Sequence, residues 1–113
     1  PSWGFRFEID GKKVAYCADT GPCGNLVRLA QGTDALITEC ALPPGAPELK
    51  GWPHLSPEMA AKAAKKANTS MLLLTHFDAV HYPTIAARLK GMKGARRIFT
   101  PIIAATDGLE VRV

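Results

Sequence analysis

Three residues that could bind a metal ion or move a proton each follow a short apolar run. They are Asp19, Glu39 and His76. Carboxylate oxygens and imidazole nitrogens are ligands of zinc, and a catalytic zinc takes about three protein ligands plus water. Asp19 could bridge two cations and His76 could bind one of them, but two ligands do not complete a site. The simpler alternative is that Asp19 forms an Asx turn and His76 bonds to backbone at a strand end.

The apolar pattern and the turn signals predict an alternating α/β fold. Asp10-Gly11 is a two-residue turn signal between two alternating runs, which indicates an opening hairpin. Ser56-Pro57-Glu58 is typical of a helix start. Because ligands of such sheets bind outside the strand ends, we expect the three candidate residues on one rim. The predicted order is β-β-α-β-α-β-α-β-β, with strands at 3–9, 14–17, 35–38, 71–75, 98–105 and 109–113 and helices at 25–31, 57–68 and 83–91.

The predicted helices can cover only one face of this sheet. Strands 71–74 and 101–105 are apolar on both faces, as in sheets that are covered on both sides. The last helix is expected to turn Ile85, Ala86 and Leu89 inward. Leaving several hundred Å² of apolar sheet in water would cost on the order of 10 kcal/mol at about 25 cal/mol per Å². We therefore expect the second face to pack against another polypeptide, either the N-terminal half of the same domain or a second copy in a dimer.

Size, charge and cysteine content limit the classes of protein. The 113 residues predict a single unit spanning 1–113. Three cysteines cannot all pair, and no CxxC occurs, so we expect a reduced, cytoplasmic setting. No run of about 18 apolar residues occurs, so we expect no membrane. The net charge of +4 permits an anionic partner. Five cations lie among residues 88–97, where they could contact phosphates or form a solvated helix end.

The ordered set of short motifs resembles a known family. The motifs are CADTGP at 17–22, TECA at 38–41, HLSPE at 54–58, LTHF at 74–77 and a closing DG at 107–108. Together they resemble the second half of a metallo-β-lactamase-fold hydrolase, in the branch that contains ribonuclease Z and related phosphodiesterases. The resemblance implies the C-terminal half of an αββα sandwich, a mixed sheet with helices on one face.

The resemblance also implies roles for particular residues. Asp19 would bridge two metal ions, usually zinc although manganese or another divalent metal is possible, and His76 would bind one of them. Glu39 would pair with His54, which would assist at the scissile phosphate. The alternative for His54 is a loop residue near a helix N-terminus.

The family's HxHxDH motif, which supplies most of the metal ligands, is absent from the 113 residues. We therefore expect part of a metal-dependent hydrolase that uses a metal-activated water on a phosphodiester or other anionic ester, with RNA or a small anionic molecule as substrate. The isolated chain is expected to be weakly active or inactive. The alternative is a non-catalytic truncated module for dimerisation or nucleic-acid binding.

Overall fold

The turn signal at Asp10-Gly11 closes an antiparallel hairpin. In the computed structural model, which describes residues 1–113, β1 (Gly4–Ile9) pairs with β2 (Lys12–Cys17). Asp10 and Gly11 have φ of 50° and 75°. Two successive positive φ values match the twist of the flanking strands, so this sequence signal predicts the local structure correctly.

The remaining strands extend the hairpin into a mixed five-stranded sheet in the order β1-β2-β3-β4-β5. β2, β3, β4 and β5 are parallel to one another. Helices lie in the connections between them, as parallel neighbours require. The further elements are β3 (Ala35–Cys40), β4 (Leu72–Phe77), β5 (Ile102–Ala104), α1 (Gly24–Ala30), α2 (Pro57–Ala67), α3 (Ile85–Gly91) and a 3₁₀ turn at Ala95–Arg97.

The expected closing hairpin at 98–105 and 109–113 is wrong. Only Ile102–Ala104 forms a strand, and residues 109–113 have no regular structure. The amides of Ile98 and Phe99 both donate to the Ala95 carbonyl, so the preceding helical turn continues into the predicted strand. Residues 109–113 find no strand partner, because β5 pairs only with β4.

α2 forms most of the core contact on the helical face. The Ser56 hydroxyl accepts from the Met59 amide at 3.3 Å, and Asn68 ends the helix in a left-handed conformation. The alanines on one side of α2 are buried, and they pack above Leu36, Leu72 and Leu74, which are fully buried. Small side chains let a helix approach a sheet closely, and this packing fixes the positions of β3 and β4.

The orientation predicted for α3 is wrong. Ile85 and Leu89 are 58% and 48% exposed, and Ala86 is exposed as well. The inward side instead carries Gly91, where an added Cβ would lie 2.8 Å from the Tyr82 ring. It also carries Arg88, whose guanidinium lies 4.9 Å from the centre of the Phe77 ring.

The other face of the sheet has no helix against it. Register places Phe5 opposite Tyr16 and Phe7 opposite Val14, so these side chains share one face. Phe5 and Phe7 are 53% and 49% exposed. We call this surface the open face; its residues are Phe5, Phe7, Ile9, Val14, Tyr16, Ile37, Leu73 and Ile103.

An apolar second face was predicted, but its most exposed residues lie on β1 and β2 rather than on strands 71–74 and 101–105. Leu73, on β4 between β3 and β5, is only 9% exposed. None of the helices is long and apolar enough to span a membrane.

Candidate metal centre

Asp19 and His76 face each other at one end of the sheet. Asp19 follows β2, and His76 is the fifth residue of β4 rather than the first residue after it. The distance from Asp19 Oδ1 to His76 Nδ1 is 3.5 Å. Their side chains are 64% and 51% exposed. A carboxylate oxygen and an imidazole nitrogen this close, both open to solvent, could bind the same metal ion.

Backbone conformation directs both side chains to this position. Asp19 and His76 each have a φ of 50°, which is uncommon for residues other than glycine. Thr75 pairs with Glu39 and Phe77 pairs with Cys40, so His76 is an extra residue in β4, a β-bulge. Bulges re-aim side chains near active sites, and strained conformations cost on the order of 1–3 kcal/mol each. The fold maintains this strain at both candidate ligands.

Glu39 lies behind this pair, fully buried, and is part of β3 rather than of the loop after it. Its Oε1 accepts from the Thr20 amide at 2.7 Å, and its Oε2 accepts from the amides of Leu55 at 3.1 Å and Ala41 at 3.3 Å. The fourth partner is Nδ1 of His54, 2.8 Å from Oε1. A carboxylate has about four acceptor positions, so all of them are used.

A metal ion could in principle be held by Asp19, Glu39 and His54, because one donor atom from each lies within 4.8 Å of the others. The four hydrogen bonds to Glu39 argue against that arrangement. A metal on Glu39 would have to displace either a backbone amide or the His54 ring nitrogen from its hydrogen bond with the carboxylate. Glu39 is therefore placed to orient its neighbours rather than to bind a cation.

His54 is oriented by this buried carboxylate. Its side chain is 15% exposed, and because an ionised carboxylate only accepts, the contact with Glu39 places the proton on Nδ1. Nε2 is then the nitrogen that remains available to a ligand. Trp52 lies beside the ring, with 5.5 Å between the ring centres in an edge-on arrangement.

These side chains border a cleft of about 310 Å³. It contains three of the four predicted site residues, and Glu39 lies beneath them. Two larger cavities, of about 440 and 360 Å³, contain none of the four. The lining residues of the cleft are Asp19, Ala41, Trp52, His54, His76, Phe77 and Asp78.

Sequence reasoning missed Tyr82, which is 2% exposed and connects two loops of the site. Its hydroxyl donates to the Leu42 carbonyl at 2.7 Å, and its ring packs edge-on against Phe77 at 5.1 Å. Burial raises the pKa of Tyr82 above its usual value and, together with the nearby Glu39 charge, raises the pKa of the Cys40 thiol to about 12. The only sequence signal for Tyr82 was its place in the turn that follows β4.

The remaining histidine, His81, and the basic segment 88–97 lie outside the cleft. His81 is exposed and is not among the lining residues. In the basic segment 88–97, Arg88 contacts Phe77 and donates to the Ala105 carbonyl at 3.0 Å, whereas the other four cations are exposed.

The donor chemistry of Asp19 and His76 fits a zinc ion, which takes carboxylate oxygen and imidazole nitrogen. Neither side chain makes another side-chain hydrogen bond, so a metal would displace nothing from them. Two ligands are fewer than the three that a catalytic zinc requires. The chain therefore presents two candidate metal ligands, Asp19 and His76, with an oriented histidine beside them.

Comparison with known proteins identifies relatives of this chain. The family described as "Beta-lactamase superfamily domain" matches residues 1–77. Ribonuclease Z of Bacillus licheniformis is 38% identical over 101 residues, which cover 88% of this chain and 32% of that protein. Ribonuclease Z of Ignicoccus hospitalis is 38% identical over 107 residues, 91% of this chain and 33% of that protein. The chain thus spans about a third of the length of these curated relatives.

Two solved structures share the fold. The metallo-beta-lactamase fold protein YhfI from Bacillus subtilis superposes with a TM-score of 0.76 at 24% identity, covering 94% of this chain and 42% of that one. The short form of human tRNase Z superposes with a TM-score of 0.57 at 35% identity, covering 66% of this chain and 30% of that one. The mixed sheet with helices on one face is therefore a fragment of a metallo-β-lactamase fold, as the motifs predicted.

Proposed function

The chain belongs to the beta-lactamase superfamily domain family and is similar to ribonuclease Z, and on this premise we propose that it is the second half of a metal-dependent hydrolase that cleaves phosphodiesters. The observation that carries the proposal is the 3.5 Å approach of Asp19 to His76 beside the hydrogen-bonded pair of Glu39 and His54. Packing alone does not require two strained, exposed metal-binding side chains to meet.

In this proposal the chain would supply some of the ligands of two metal ions, with zinc as the expected metal and manganese or another divalent ion able to use the same donors. Asp19 would bridge both ions and His76 would bind one. When bound, such ions lower the pKa of water and polarise phosphoryl oxygens. The remaining ligands come from outside the 113 residues, so we expect the isolated chain to bind metal weakly and to turn over little substrate.

His54 supplies the proton transfer. Glu39 holds Nδ1 at 2.8 Å, which orients the ring. Nε2 can then donate a proton to the leaving oxygen of the phosphodiester, or hydrogen-bond to the phosphate as negative charge develops there. Glu39 is a positioning residue, because it touches His54 and three backbone amides and does not border the cleft.

The open face is where the rest of the domain would pack. Exposed aromatic side chains at Phe5, Phe7 and Tyr16 form a contiguous apolar surface on the sheet. Exposed patches of this kind mark interaction surfaces. We propose that the N-terminal half of the same domain covers this face and supplies the missing metal ligands. A second copy of the chain is the alternative occupant.

The substrate class follows from charge and from the relatives. The named relatives are ribonucleases, and the chain has a net charge of +4, which suits an anionic substrate. RNA is therefore the substrate that we propose, ahead of a small anionic ester. The reducing, cytoplasmic setting inferred from the three free cysteines is compatible with this substrate.

The proposal is tested by measuring zinc content and hydrolysis of bis(p-nitrophenyl) phosphate in the complete domain. Asp19→Asn and His76→Asn are suitable changes, because asparagine tolerates the left-handed conformation of both positions. Both variants should lose bound zinc and at least about 100-fold in kcat/KM, since the metal-activated water is lost. Asp107→Asn and His81→Asn are matched controls at exposed positions.

The His54→Asn variant separates proton transfer from metal binding. It should retain zinc and lose about 10²- to 10⁴-fold in kcat, the range typical of a general acid or base. If Asp19→Asn and His76→Asn keep both zinc and activity, the proposed metal centre is wrong.

A further inference from the structure

Trp52 is the most exposed aromatic side chain in the lining of the cleft. Its residue is 72% exposed, although it is aromatic and stands two positions before His54. The indole borders the same 310 Å³ space as Asp19 and His76. A large apolar ring that remains in water beside reactive groups is available to contact a ligand.

The position of Trp52 is restrained by the next residue. Pro53 packs so closely on Gly21 that a Cβ at position 21 would lie 2.5 Å from the Pro53 Cβ. Gly21 belongs to the loop that carries Asp19, so the segment with Trp52 rests directly on the loop with the metal-binding carboxylate. The backbone on the other side is fixed as well, because Leu55 donates to Glu39 at 3.1 Å. The indole is thus held near the site at low conformational cost.

We propose that Trp52 is a substrate-specificity residue that stacks on an unpaired nucleobase adjacent to the scissile phosphate. The inference rests on the proposed phosphodiesterase function and adds a subsite to it. A nucleobase lies one sugar away from its phosphate, so a phosphate bound at Asp19 and His76 brings a base within reach of the neighbouring indole. Stacking of a base on an aromatic side chain depends little on sequence, because every base has a π-face.

A purely protective role is the rival explanation. Trp52 contacts the His54 ring edge-on at 5.5 Å and could simply limit the access of water to it. The two roles predict different substrate dependence. A shield affects every substrate equally, whereas a stacking platform matters only for substrates that carry a base.

The catalytic test therefore compares two diesters in the metal-loaded complete domain, p-nitrophenyl adenosine 5′-phosphate and methyl p-nitrophenyl phosphate. We expect Trp52→Ala to lower kcat/KM for the adenosine diester by roughly 5- to 150-fold relative to the methyl diester. Trp52→Phe should retain most of the kcat/KM for the adenosine diester that Trp52→Ala loses. An equal loss on both diesters, or no loss on either, would overturn the proposal.

A binding test does not depend on catalysis. The chain has two tryptophans, Trp3 and Trp52, so in a Trp3→Phe variant its tryptophan fluorescence comes from Trp52 alone. In the metal-free domain, with tryptophans elsewhere in the domain also replaced by phenylalanine, adenosine 5′-monophosphate should quench this emission saturably and ribose 5-phosphate should not. Absence of quenching by the nucleotide, or equal quenching by both compounds, would overturn the proposal. If the wild-type domain hydrolyses neither diester while the nucleotide still quenches, the proposed hydrolase function fails and the base subsite stands.

Discussion

Replacing Glu39 with glutamine tests whether one buried carboxylate organises the candidate site. The wild-type carboxylate accepts four hydrogen bonds, three from backbone amides and one from His54. A glutamine amide has one acceptor oxygen and an NH₂ group that can only donate. In either orientation, the NH₂ group must face donors that the carboxylate satisfied.

The expected loss in the free energy of unfolding follows from the less costly of the two orientations of the glutamine amide. If the NH₂ group replaces Oε1, His54 can switch tautomer and accept, but the Thr20 amide loses its 2.7 Å partner. If it replaces Oε2, two backbone amides are left without partners. One unsatisfied buried donor costs about 1–3 kcal/mol, and the other bonds lose the charge that strengthens them. We expect the free energy of unfolding to fall by about 2–4 kcal/mol, a large part of the 5–15 kcal/mol typical of a domain.

Urea unfolding of the metal-free complete domain at pH 7, followed by circular dichroism, measures this loss. Glu110→Gln is the matched control, since Glu110 is exposed and makes no side-chain hydrogen bond. It should change the free energy of unfolding by less than about 0.5 kcal/mol. A Glu39→Gln variant as stable as this control would refute the reasoning that Glu39 is a fully engaged buried acceptor.

Three further predictions concern stability and association. At the bulge, His76→Gly should be more stable than His76→Val by about 1–3 kcal/mol, because valine is strained at a φ of 50° although it favours strands; the reverse order in urea unfolding would contradict the bulge. The free energy of unfolding should be highest below pH 9 and should fall as the pH rises above 9, because the unfolded chain releases the protons of Cys40 and Tyr82 earlier than the folded state does. In the folded state the pKa of Cys40 is about 12, and that of Tyr82 is raised above its ordinary 10.0. Each group contributes a slope of about 1.4 kcal/mol per pH unit, and a flat profile from pH 9 to 11 would refute this. Replacing Phe5 and Phe7 with threonine should reduce self-association of the isolated chain in sedimentation velocity, whereas unchanged association would exclude the open face as an interface between copies of the chain.

Local signals made much of the fold predictable. Asp10-Gly11 specifies its turn through the φ values that the two residues tolerate, and Ser56-Pro57 begins α2 through a side-chain cap. The approach of Asp19 to His76 also followed from sequence, because residues after parallel strands gather at one edge of the sheet. These inferences need only short-range chemistry and the rule for strand ends.

Features that depend on tertiary contacts were not predictable in the same way. The inward side of α3 is set by the fit of Gly91 against Tyr82 and by the stacking of Arg88 on Phe77, neither of which apolar periodicity reveals. The bulge at His76 exists only through the register of β3 with β4. The position of Trp52 likewise depends on a contact between Pro53 and Gly21, which are far apart in sequence.

The central claim is that Asp19 and His76 are ligands of one metal centre. Anomalous X-ray diffraction at the zinc edge, from crystals of the complete domain grown with zinc, tests it most directly. We expect zinc at about 2.0–2.2 Å from an Asp19 carboxylate oxygen and from a His76 ring nitrogen, with Glu39 uncoordinated. An ordered site with zinc elsewhere, or with zinc bound by Glu39 in place of His76, would contradict it.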